Sequence, residues 1–230
     1  MQSVAFDEHI ARLRARLAGP LPGTAAQLTM APRHRQDPRL ADVRGKRCRE
    51  AGVLVLLFPL EVPGTGRDTP AVLLTVRRSH LNHHAGQVSF PGGRREPGET
   101  LRETALRETH EEVGLPPDAV DVLGPLTPLY IPPSRFCVHP FVGITRHRPA
   151  LRPHDAEVAD VLAVPLAHLL DPATRRRAPR LLHGQAVEVP FFAVNGYEVW
   201  GATAMMLAEL LALFAPLPDP ARAPTSRGGQ

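Results

Sequence analysis

Gly92-Gly93-Arg94-Arg95-Glu96-Pro97-Gly98-Glu99-Thr100, running on to Arg107-Glu108-Thr109-His110-Glu111-Glu112-Val113-Gly114-Leu115, is the stretch whose reading decides the fold. Thr100 followed by Glu103 is a capping-box pattern, and Gly114 then Pro116 mark a stop, so the spacing predicts a helix over Thr100 to Val113. At about 100° per residue, Glu108, Glu111 and Glu112 fall within an arc of roughly 100°. Leu106, Thr109 and Val113 point toward the other side.

Like charges at these spacings repel on a helix face, and more strongly where the face is enclosed, which calls for a cation. Clustered hard oxygen donors suit Mg²⁺ or Mn²⁺, which keep some waters and take further ligands from phosphates. The glycine pair permits close backbone approach, so the Gly93 carbonyl is a candidate fourth ligand beside Glu108, Glu111 and Glu112. Arg107 is placed to hold a neighbouring carboxylate through a two-pronged contact. The plain alternative is a solvated helix whose acids pair with Arg102 or Arg107, since Arg107 and Glu111 stand four residues apart.

Outward from this helix the chain is rich in strands. Apolar, β-branched runs at Val53 to Leu60, Ala71 to Arg77, Gln87 to Phe90, Val120 to Tyr130, Cys137 to Thr145 and Val158 to Val164 read as strands. Val187 to Val194 and Tyr197 to Trp200 read as a hairpin turning at Asn195-Gly196. Thr203 to Phe214 is apolar enough to pack as a helix on a sheet, and Met1 to Leu17 reads as an amphipathic helix. The expected organisation is an N-terminal helix and irregular arm over 1–50, one α/β domain over 51–214, and a flexible tail over 215–230.

Composition narrows the function classes. With 43% hydrophobic and 22% charged residues over 230 positions, the chain can build a real core. Its longest apolar run, Val53 to Leu60, is far short of the ~20 residues of a membrane-spanning helix. The formal charge of +4 comes almost wholly from arginine, with Lys46 the single lysine, and no basic run is interleaved with aromatics, so nucleic acid is not the expected partner. Cys48 and Cys137 form no C-x-x-C pair, so neither zinc nor a disulfide framework is expected, and a reducing cytoplasm fits. A homodimer is compatible with the sequence, which does not fix the oligomeric state.

Gly93, Glu99, Arg107, Glu108, Glu111, Glu112, Gly114 and Leu115 together fit the spacing G-x5-E-x7-R-E-U-x-E-E-x-G-U, where U is aliphatic, and so the stretch resembles the Nudix box. Thr109 departs from it, standing where the family has an aliphatic residue. The resemblance implies a Nudix fold, an α/β (α+β) architecture with a mixed sheet sandwiched between helices. It implies hydrolysis of a diphosphate link with Mg²⁺ or Mn²⁺, with Glu108 and Glu112, joined by Glu111, holding the metal and Arg107 orienting a carboxylate. Glu157 is the candidate for an extra ligand or general base from outside the box, its alternative being an exposed loop acid.

Leu73-Leu74-Thr75-Val76-Arg77, then Gly86-Gln87-Val88-Ser89-Phe90-Pro91-Gly92-Gly93, resemble the coenzyme A pyrophosphatase branch of that family. So do Pro132-Pro133-Ser134-Arg135-Phe136, Val138-His139-Pro140-Phe141-Val142-Gly143, Glu157 to Leu166, and Trp200-Gly201-Ala202-Thr203-Ala204. Arg77, Arg78, Asn82 and Gly86 are then the substrate-side candidates. Asn82 stands where the branch has arginine, and Arg78 where it has a small residue. The expected substrate is a small nucleotide, coenzyme A or a thioester of it. The rival readings are a Nudix enzyme for ADP-ribose, a dinucleotide or a nucleoside triphosphate, and a non-catalytic Nudix-fold module binding RNA or a nucleotide.

Overall fold

The computed structural model describes residues 4–62, 67–78, 86–182 and 184–215. Its centre is β1 (Arg49–Val62), which begins before and ends after the expected run. Val53, Val55 and Leu57 enter one buried cluster and Leu54, Leu56 and Phe58 the other, as strand alternation requires. Both faces of the strand are therefore covered, which is why its sequence reads as an unbroken apolar run. At about 2 kcal/mol for each fully buried Leu or Phe, this strand is a principal source of stability.

Around it the sheet is mixed. β2 (Arg67–Arg77), β3 (Val88–Ser89), β4 (Gly92–Arg94), β5 (Asp121–Pro125), β6 (Leu129–Ile131), β7 (Phe136–Ile144) and β8 (Val158–Pro165) complete eight strands in the order β3-β2-β1-β7-β5. Off that path, β4 pairs with β1, β6 with β7 and β8 with β2. β1 and β7 run parallel, from Arg49 beside Phe136 to Leu57 beside Ile144. The other pairs are antiparallel.

A second sheet holds β9 (Arg175–Leu182), β10 (Gln185–Val194) and β11 (Tyr197–Trp200), the last two joined at Asn195-Gly196, both with positive φ (47° and 84°). That is the backbone a two-residue hairpin turn demands.

Helices cover both faces of the main sheet. On one side α4 (Leu101–Val113) contributes Ala105 and Val113 to the cluster holding Leu54, Leu56 and Phe58. On the other lie α1 (Val4–Leu17), α2 (Gly23–Leu28), α3 (Pro38–Ala41) and α6 (Gly201–Ala212), while α5 (Leu166–Leu170) follows β8. Phe6, Ile10, Leu13, Leu28, Met30, Ala31 and Ala41 share one core with Leu207, Leu210 and Leu211, so these N-terminal residues pack on the sheet with α6.

Two differences from the sequence reading have physical causes. The run Val120 to Tyr130 is two strands, because the Thr127 N–H donates to Glu209 (3.1 Å) and Pro128 has no N–H to continue a ladder. Glu209, fully buried on α6, also accepts from the Gly23 N–H (3.2 Å), Gln27 Nε2 (2.8 Å) and Thr127 Oγ1 (2.6 Å). It thus ties α2 and the β5–β6 link to α6. Glu209→Gln puts an amide N–H against donors, and a loss of about 2 kcal/mol in urea denaturation is expected. A loss under about 0.5 kcal/mol would mean that this tether is not holding the elements together.

The second difference is a correction. Cys48 and Cys137 form a disulfide, with Cα atoms 5.7 Å apart and a sequence separation of 89. The parallel register sets Glu50 opposite Cys137 and so brings the residue two places before Glu50 alongside it. The ground for expecting a reducing compartment is therefore gone. No helix among the described residues is long and apolar enough to cross a membrane.

Candidate active site

α4 is seated on β1 at Gly52, where a Cβ would overlap the Leu101 carbonyl and lie 2.9 Å from the Ala105 nitrogen. Only glycine lets strand and helix approach this closely. The capping box forms as the sequence indicates: Glu103 N–H donates to Thr100 Oγ1 (3.2 Å), and Thr100 N–H to Glu103 Oε2 (2.7 Å). Gly114 closes the helix in the left-handed conformation at φ 70°. Thr109 is buried, and its hydroxyl donates to the Ala105 carbonyl at 2.6 Å. Because the hydroxyl is satisfied, Thr109→Val is expected to change stability by less than about 1 kcal/mol, read as the urea midpoint. A larger change would show that this back-bond carries part of the helix.

Arg107 organises the acids. Nε and Nη2 grip both oxygens of Glu99 (3.0 and 2.9 Å), while Nη1 reaches Glu108 Oε1 (3.0 Å) and Glu111 Oε2 (3.1 Å). Nη2 also donates to the Arg94 carbonyl at 3.2 Å, pinning the glycine loop to the helix. The contact to Glu99 holds that carboxyl down at about 2. Glu99 also accepts from the Glu96 N–H (2.7 Å) and Thr104 Oγ1 (2.8 Å), so it is a fixed structural anion.

The three clustered acids differ in environment. The Glu111 side chain is 56% exposed and turned toward Arg107, Glu108 is 18% exposed, and Glu112 is 8% exposed overall. Glu108 lies against Gly93, where any Cβ would fill the space its carboxylate occupies. Burial raises the Glu108 carboxyl against the pull of Arg107. Glu112 is pushed up to about 8, first by burial and then by the charges of Glu108 and Glu157, opposed by Arg77 and a hydrogen bond from Gly92. Its Oε2 is buried and has no hydrogen-bond partner among the described residues.

Glu157 comes from outside the helix by a definite route. The Arg152 and His154 N–H groups donate to the Val113 and Glu112 carbonyls (both 2.8 Å), satisfying acceptors that the helix end leaves open. The turn closes with Glu157 N–H on the His154 carbonyl (3.0 Å), and the Glu157 carbonyl accepts from the Arg78 N–H (3.0 Å). The Glu157 charge acts on both Glu108 and Glu112.

Arg77 ends β2, exchanging backbone hydrogen bonds with Gly86 (3.0 Å) and Gln87 (2.9 Å). Arg78 sits 3.8 Å from Asp155. Asn82 lies outside the described residues. Glu99 as the anchor of Arg107, Gly52 as the helix seat, and the strap through Arg152 and His154 were not singled out from sequence. Of these, only Glu99 carried a signal, its place in the spaced motif.

Among the described residues no three acid, histidine or cysteine side chains already converge on one point. Glu108 against the Gly93 loop, Glu112 and Glu157 nonetheless stand close enough for their charges to act on one another. Residues 51–183 match the NUDIX domain model. The chain is 38% identical over 174 residues to human "Mitochondrial coenzyme A diphosphatase NUDT8", covering 74% of this chain and 72% of that protein. It is 37% identical to "Nudix hydrolase 3" of Caenorhabditis elegans (70% and 72% covered) and 39% identical to "Uncharacterized Nudix hydrolase NudL" of Salmonella paratyphi B (70% and 81%). A solved Nudix hydrolase from M. smegmatis, RenU, aligns with a TM-score of 0.48 at 20% identity, covering 74% of this chain and 89% of that one. The chain belongs to the Nudix family, and it is a hydrolase of that family.

Proposed function

We propose that the protein is a divalent-metal-dependent diphosphatase that splits coenzyme A or its acyl thioesters into 3′,5′-ADP and 4′-phosphopantetheine or its acyl form. The observation that carries the metal is the orphaned Oε2 of Glu112. A buried carboxylate oxygen without a donor, next to a second half-buried carboxylate and under the influence of a third, fits a hard cation. Glu108 and Glu112 would hold Mg²⁺ or Mn²⁺, with the Gly93 carbonyl and, once turned from Arg107, Glu111. Such an ion lowers the pKa of bound water and neutralises charge on the bridging oxygens.

The chain's own residues supply the rest. Arg107, anchored on Glu99, fixes the position of Glu108 and cancels part of the charge that would otherwise drive the helix face apart. Glu157, on the strap beside the helix end, would accept a proton from an attacking water. Arg77, whose charge reaches Glu112, together with Arg78 and the Gly86 turn, frames the side from which a phosphate enters.

Coenzyme A as substrate rests on two supports. One is the Leu73 to Arg77 and Gly86 to Gly93 pattern. The other is the likeness to a protein named as a coenzyme A diphosphatase.

With Mg²⁺ or Mn²⁺, a panel of coenzyme A, ADP-ribose, NADH and dNTPs is expected to give the highest kcat/KM for coenzyme A, with 3′,5′-ADP as product. ADP-ribose ahead by about tenfold would move the enzyme to another branch. Binding of RNA or nucleotide without metal-dependent turnover would leave a binding module.

A further inference from the structure

The Cys48–Cys137 bridge, just before β1, opens onto a surface cavity. Arg47, Cys48, Arg49, Ser134 and Arg135 line this space of about 460 Å³. The two sulfurs are not equivalent. Cys137 is 2% exposed and Cys48 is half-buried, so the cavity gives access to Cys48 from solvent.

The cavity wall is cationic and pre-ordered. The Arg49 N–H donates to the Arg135 carbonyl (2.9 Å) and Arg49 Nη2 to the Ser134 carbonyl (2.7 Å), while its guanidinium sits 4.3 Å from the Phe136 ring centre. These contacts hold one positive group beside the disulfide. Arg135, in the left-handed region at φ 53°, and the exposed Arg47 supply two more. Among the described residues none of the three guanidiniums is paired with a carboxylate, and the nearest acid in sequence, Glu50, is bound to Arg95 at 2.9 Å. The three guanidiniums thus line the space at Cys48 without an ion-pair partner of their own among the described residues.

We propose that Cys48 is a site of reversible S-thiolation by small thiols that carry a carboxylate or phosphate, the arginines of the cavity drawing them to the sulfur. In the step, the incoming thiolate attacks Cys48 Sγ in line with the bridge. The bond between the reagent's sulfur and Cys48 forms, the Cys48–Cys137 bond breaks, and the electron pair leaves on Cys137 Sγ, which takes a proton from water. A second thiolate then attacks the mixed disulfide. It releases the reagent as its own disulfide and leaves both cysteines as thiols, so two reagent thiols are oxidised for one bridge reduced.

The test uses the full oxidised chain in EDTA with 3-mercaptopropionate, 2-mercaptoethanol and cysteamine, reagents of similar size and different charge. Adducts are followed by intact mass and located by peptide mapping, with rates expressed per thiolate. 3-Mercaptopropionate is expected to outpace cysteamine by about tenfold at low ionic strength, the ratio falling toward one in about 1 M salt. The first adduct should sit on Cys48. Arg47→Ala with Arg135→Ala, both at exposed side chains, should bring the reagents together while leaving diphosphatase activity unchanged. Equal rates, a faster cysteamine, a first adduct on Cys137, or a purified chain with two free thiols would each overturn the assignment.

Discussion

Glu112→Gln is expected to lower turnover by about 10²- to 10³-fold, the scale of losing one preorganised electrostatic contact to developing charge, and at the same time to stabilise the cation-free protein at alkaline pH. Both effects come from one carboxyl. It ordinarily ionises at 4.5, and in the fold burial first, then Glu108 and Glu157, push it up to about 8. A raised acid favours folding fully below its unfolded value, and that contribution is lost as pH rises through the folded value. In EDTA the wild-type melting temperature should therefore fall between about pH 4.5 and about pH 8, and glutamine, which does not titrate, should remove most of that slope. A difference of roughly 3–6 °C at the alkaline end is expected, about 1–2 kcal/mol for a domain of this size. Saturating Mg²⁺ should raise the wild type at alkaline pH and leave the variant unmoved. Activity within threefold of wild type, or parallel melting curves across pH, would remove Glu112 from the metal site.

Arg107→Ala should cost about 3 kcal/mol of stability, the lower end for stripping one partner from an enclosed ion network. The Glu99 side chain is 15% exposed and loses two charged hydrogen bonds, and Glu108 loses one. Glu111, exposed and screened by water, contributes little to that figure. Arg107→Lys should recover only part of it, because one ammonium cannot meet Glu99 in two prongs while reaching Glu108 and the Arg94 carbonyl. Turnover should fall in both variants, since Glu108 loses the contact that fixes it over Gly93. Urea denaturation and kcat with Mn²⁺ check the two halves. An alanine variant of unchanged midpoint would show that the acids are neutralised by something other than this guanidinium.

What could be read from sequence follows how local each cause is. The Thr100–Glu103 cap and the Gly114 stop act within a turn or two, so the helix and its crowd of acids were visible in the chain. The alternation that sends Val53, Val55 and Leu57 one way and Leu54, Leu56 and Phe58 the other was hidden, because a strand covered on both faces shows no polar side. β9 was missed for the opposite reason: Arg175-Arg176-Arg177 carries none of the apolar pattern that marks strands, and its pairing comes from β10. The environment of Glu112 depends on Arg77, Gly92 and Glu157, which meet only after β2, the glycine loop and the strap have packed. Likewise the single buried acid of α6 has no local explanation, since its donors are Gly23, Gln27 and Thr127.

The bridge between positions 48 and 137 turns the chain into a covalent ring with two tails. The ring contains the glycine loop and all of α4; the N-terminal helices belong to one tail, Glu157 and α6 to the other. A protease cut inside the ring, for instance at the Pro97-Gly98 turn, leaves one molecule that still migrates at full mass without reductant. A cut outside it severs a tail at once.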